Sequence, residues 1–105
     1  MKDQDQIFNH PVIQADDTEL YALVVRTPEG KSHAVTRVPP GAPPALFGHV
    51  AAVVLRGAVD VFHAGPTVLK GAPDRLATKG EILEAMLFRL ETEIVKLRAE
   101  FEAEA

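Results

Sequence analysis

The chain has no cysteine among its 105 residues, which removes disulfides, thiolate nucleophiles and Cys-ligated metal centres. It has one serine, Ser32, followed directly by His33. A hydroxyl nucleophile needs a base within reach, and neighbours on a strand point to opposite faces. Seven glycines are scattered along the chain and form neither a dinucleotide fingerprint nor a phosphate loop. Basic residues are in the minority: 11 Lys and Arg against 15 Asp and Glu leave a formal charge of −4. Such a balance offers no general attraction to nucleic acid or anionic lipid. One tyrosine and five phenylalanines supply no stacking platform beside a basic groove. These absences argue against an enzyme and against a nucleic-acid partner, and no cofactor is expected. The opening Met1-Lys2-Asp3-Gln4-Asp5-Gln6 lacks the apolar run of a signal peptide, so a cytoplasmic location is expected.

What the chain does have is apolar surface. Hydrophobic residues make up 47% of it, a globular content that argues against disorder. The longest apolar run, from Pro43 to His63, organises the rest. Two prolines suit a first helical turn, where an amide hydrogen would have no partner. No turn dipeptide appears before Ala64-Gly65-Pro66, so the run is longer than a typical strand. Its polar residues, His49, Arg56, Asp60 and His63, are spaced 7, 4 and 3 apart, which sets them on one narrow helical stripe. The competing reading is two strands, Val50–Leu55 and Ala58–Phe62, turning at Arg56-Gly57; five valines favour it, but the stripe favours the helix. Leu46, Phe47, Val50, Val53, Val54, Leu55, Val59, Val61 and Phe62 point in almost every other direction. Such a helix is expected to be covered on several sides. A membrane span is not expected, because ionisable residues interrupt an already short run.

Before this helix, residues 1–18 read as a polar arm with an apolar island at Ile7, Phe8, Val12 and Ile13. The Asn9-His10-Pro11 turn carries a lone histidine, and one ligand makes no metal site. Leu20–Arg26 and Lys31–Val38 read as strands. Thr27-Pro28-Glu29-Gly30 joins them, proline pre-set for the second turn position and glycine free to take positive φ at the fourth. A two-stranded hairpin is marginal in water, so the central helix or a larger sheet is expected to support it. After the helix, glycine and proline mark residues 64–77 as a loop. Thr78-Lys79-Gly80-Glu81 reads as a capping box, opening a helix over 79–103. In that helix Leu83, Leu87, Leu90, Ile94, Leu97 and Phe101 fall at spacings of 4, 3, 4, 3 and 4, an a/d seam. Glu93 and Arg98 sit at g and e positions, where a parallel partner can pair them. The seam can equally pack on the central helix of its own chain.

The order Glu19-Leu20, Gly30-Lys31-Ser32-His33, Pro44-Ala45-Leu46-Phe47-Gly48, Leu55-Arg56 and Phe62 resembles a family of small bacterial proteins of unknown function. Its members carry Glu-Leu, a Gly-Lys-x-His second strand and Pro-x-x-Trp-Gly opening a helix with an internal arginine. The resemblance covers roughly residues 19–62; Phe47 replaces the family's tryptophan, and Gly57 stands where a histidine is usual. It implies a hairpin followed by a helix, and no catalytic residues.

The expected architecture is therefore α+β: an arm over 1–18 and one domain over 19–105, with a β-hairpin (20–38) packed on a buried central helix (43–63) and a long C-terminal amphipathic helix. The expected function is a self-associating structural or adaptor module. Val54 and the seam residues Leu83, Leu87, Leu90, Ile94, Leu97 and Phe101 form its interface, and its partner is itself, as a homo-oligomer and most simply a dimer, or another protein. The alternative is a small-ligand or metal-binding regulator using His49, Arg56, Asp60 and His63, with Asp60 and His63 one helical turn apart as two ligands.

Overall fold

The computed structural model describes residues 7–105; the first six residues of the expected arm lie outside them. The chain divides into two compact units, one ending at Pro43 and the other spanning Pro44–Ala105.

In the first unit a single helical turn, α1 (Pro11–Gln14), precedes two antiparallel strands, β1 (Ala22–Arg26) and β2 (Ser32–Thr36). The imidazole of His10 caps α1, its Nδ1 accepting from the Val12 amide at 3.2 Å, and proline occupies the first turn where it costs no hydrogen bond. Register is set from the turn outward: Arg26 pairs with Ser32, Val24 with Ala34 and Ala22 with Thr36. Gly30 takes φ +82°, the left-handed region open to glycine. Its amide donates to the Thr27 carbonyl at 2.9 Å, while Thr27 N–H donates back to the Lys31 carbonyl at 2.8 Å. Ile7 and Phe8 of the apolar island line a shallow groove with Leu23–Arg26.

The second unit is a helical hairpin. The apolar run forms α2 (Ala45–Ala64), and the seam forms α3 (Lys79–Glu104). The helical stripe therefore prevails over the two-strand alternative. A loop returns the chain between them: Thr67 Oγ1 donates to the Phe62 carbonyl at 2.6 Å, and the Ala77 amide donates to the Thr67 carbonyl at 2.9 Å. Val59, Ala77 and Ile82 are buried, with Leu69, Leu83 and Met86 packed around them. Each helix and the loop thus contributes to one small core at the closed end of the hairpin. The sequence leads one to expect an α2 covered on several sides; instead Val59 is its only buried residue. A single partner helix covers one stripe of a cylinder, and the loop reaches only the end of α2.

The start of α3 is fixed by charge as well as by the cap. Thr78 Oγ1 accepts from the Glu81 amide at 3.2 Å, and the Glu81 carboxylate accepts from the Thr78 amide at 3.0 Å. Arg75 grips the same carboxylate with both terminal nitrogens, Nη1 reaching Oε1 at 2.7 Å. Chiefly the Arg75 guanidinium, and then the Thr78 amide, push Glu81 down to about 2 from the usual 4.5. A carboxylate held below its unfolded value stabilises the fold above that value and ceases to do so once protonated. This contribution should thus be complete above pH 4.5 and disappear as the pH falls from there towards 2. Arg75→Gln should flatten the acid limb of a stability–pH curve. Thr78→Ala, which loses the cap hydroxyl, should lower stability by about 0.5–2 kcal/mol at neutral pH. An unchanged denaturation midpoint for Thr78→Ala would show that the cap does not hold the helix start.

Candidate functional site

The polar stripe of α2 borders the contact with α3. At about 100° per residue, Ala52, Leu55 and Val59 face α3, and His49, Arg56, Asp60 and His63 follow along one edge of that face. Asp60 is the meeting point. Its Oδ2 accepts from Arg56 Nε at 3.3 Å. Its Oδ1, sealed from water, faces Lys79 Nζ at 3.1 Å, off the line of a hydrogen bond. First the Lys79 ammonium and then Arg56 outweigh the partial desolvation and hold the Asp60 carboxyl below the usual carboxylate range. Beside this cluster lies an open groove of about 600 Å³, lined by Leu55 and Val59 from α2 and by Leu83 and Leu87 from α3.

Lys79 is the member that the sequence does not reveal. A cation in the first turn of a helix opposes the macrodipole, and that misplacement is the one local signal that Lys79 has a partner elsewhere. The two histidines are exposed at either end of the stripe. Asp60 is engaged by two cations, and no group of three or more His, Asp or Glu side chains able to hold a metal occurs among the described residues. The arrangement therefore acts as a latch: it ties the last turns of α2 to the first turn of α3. His33 lies on β2, paired across to Val25.

If the histidines are solvated, His49→Ala and His63→Ala should each shift stability by less than about 0.5 kcal/mol, as surface substitutions do. A larger loss, or a melting temperature that zinc or phosphate raises in the parent protein alone, would return the stripe to the list of binding sites.

The expected interface residues divide into two groups. Leu83 and Leu87 are half-buried along the groove facing α2, and Leu90 and Ile94 are also half-buried. Leu97, Phe101 and Val54 are exposed. The near half of the seam is used within the chain, so the packing alternative left open by the sequence applies there. The far half is open: α3 has 26 residues and α2 has 20, so an antiparallel pair flush at the loop leaves the end of α3, Phe101 included, overhanging by about 9 Å.

On the side away from α3, α2 presents Val50, Val53, Val54, Gly57, Val61 and Ala64, and Val53, Val54 and Val61 are exposed. By length and composition α2 is long and apolar enough to cross a membrane, and little of it is buried. No family model, curated protein or solved structure matches the chain.

Proposed function

We propose that this protein is a self-associating structural or adaptor module whose apolar faces are covered by further copies of itself, most simply through twofold contacts. The observation that carries this reading is the outward face of α2. Val54 is 62% and Val61 74% exposed, in a molecule whose buried core among the described residues is Val59, Ala77 and Ile82. Soluble chains rarely leave a contiguous apolar face in water, and twofold pairing is the commonest way for one chain to cover it. Val24 and Val35 are likewise exposed on the hairpin.

The groove and the polar stripe favour this reading over a ligand-binding regulator, because the best-placed carboxylate, Asp60, already serves Arg56 and Lys79. The apolar length of α2 is the feature that favours a membrane instead. Arg56 and Asp60 count against it, since a charged residue deep in a bilayer costs about 2.5–3.5 kcal/mol even on the most lenient scale.

Light scattering across a concentration series tests the proposal. A mass above the 11.4 kDa of one chain, together with a melting temperature that rises with protein concentration, is expected. A monomer at micromolar concentration would overturn it, as would recovery only from the membrane fraction.

A further inference from the structure

The strongest heptad seam of α3 runs from Leu83 to Phe101, and behind it lies a second. Phe88, Thr92, Val95 and Ala99 follow one another at spacings of 4, 3 and 4, about 140° around the helix from the first seam. Ala85 begins the row beside the loop. This face is open: Phe88 is 77% and Val95 64% exposed. With Phe88 and Val95 at d and Thr92 and Ala99 at a, the flanking positions of the first two heptads are sorted by sign, while the third pair, Arg98 at g and Ala103 at e, carries no charge match. Glu84 and Glu91 occupy g, while Arg89 and Lys96 occupy e. In a parallel pair each g residue meets the e residue five positions further along the other helix. That rule matches Glu84 with Arg89 and Glu91 with Lys96, on both sides of the seam. An antiparallel pair instead sets g against g and e against e, bringing Glu91 towards Glu91 or Arg89 towards Lys96. In the single chain Arg89 and Lys96 share the Glu93 carboxylate, at 2.8 and 3.9 Å. Among the described residues Glu84 and Glu91 hold no ion pair, which leaves both carboxylates available.

We infer that α3 joins two copies of this chain in parallel through its outer face, Phe88 and Val95 meeting their own counterparts and Glu84 and Glu91 pairing with Arg89 and Lys96 of the second copy. The inference rests on the self-association proposed above and adds a separate contact to it. With the outward face of α2 as the other contact, each chain has two isologous surfaces, which close a dimer of dimers where their twofold axes meet at right angles.

Charge exchange tests the pairing. Glu84→Lys with Glu91→Lys makes both flanks basic, and Arg89→Glu with Lys96→Glu makes both acidic. All four positions are exposed, so each variant should keep its helical signal. Each alone should lose one step of mass by light scattering, with association weakened on the order of tenfold or more. An equimolar mixture should recover the parent mass, because the g and e positions are again opposite in sign. Orientation is read separately from Ala99→Cys, a unique thiol in a chain without cysteine. In a parallel pair two copies of this a position lie close enough for a disulfide, so oxidation should give a cross-linked dimer. If the parent protein associates but neither charge variant dissociates, or Ala99→Cys does not cross-link, the α3 contact is wrong while self-association stands. A monomeric parent would overturn both.

Discussion

Ile82→Ala is expected to lower the unfolding free energy by about 2–5 kcal/mol, the usual cost of truncating a fully enclosed aliphatic side chain. Ile82 is 3% exposed and packs with Val59 and Ala77. It sits one turn into α3, immediately after the Thr78–Glu81 cap, where the loop, the cap and both helices converge. A core of this size has no neighbouring layer that can collapse into the cavity. The loss should therefore approach the upper part of that range and melt α2 and α3 together. Denaturant titration followed by helical circular dichroism measures it. A midpoint within error of the parent would mean that the closed end of the hairpin is not what holds the two helices together.

Val61→Glu should have the second large effect, of a different kind. In one chain the side chain at this position points to water and is 74% exposed, so a glutamate there costs the isolated fold almost nothing. Once a second copy covers that face, the same carboxylate is buried without a partner, which costs roughly 3–5 kcal/mol and corresponds to a loss of more than about a hundredfold in association. Light scattering should report a lower mass with helicity kept at high protein concentration. Val54→Glu, on the same face, should behave alike. Leu90→Glu makes the contrast: Leu90 is half-buried on the near seam of α3, and its replacement should reduce the helical signal itself. If Val61→Glu associates as the parent does, the outward face of α2 is not a contact between copies.

Much of the secondary structure is legible from local pattern because its causes are local. The polar residues of α2 fall on one stripe only if the run is helical, and that periodicity outweighs the strand propensity of its valines. Thr27-Pro28-Glu29-Gly30 states its turn through a fixed proline φ and a permissive glycine. Thr78 and Glu81 bond one another across a single turn and need nothing from the rest of the chain. The start of α3, the turn of the β-hairpin and the α+β class follow from such signals.

Three features required the tertiary structure. The first is the partner of Asp60. Sequence spacing offers Arg56, four residues away on the same helix, whereas Lys79 arrives only because the loop turns α3 back along α2. The second is the fate of the seam. A 3–4 repeat states that Leu83 to Phe101 will be covered and is silent on what covers it. The return of α3 along α2 decides that Leu83 and Leu87 are satisfied within the chain, and the greater length of α3 leaves Phe101 beyond the end of α2. The third is the exposure of α2. Composition fixes how much apolar surface a chain carries, since that is a sum over residues. How much of it one chain can hide depends on how many elements reach each face, and for α2 within the helical hairpin that is α3 along one stripe and the loop at one end.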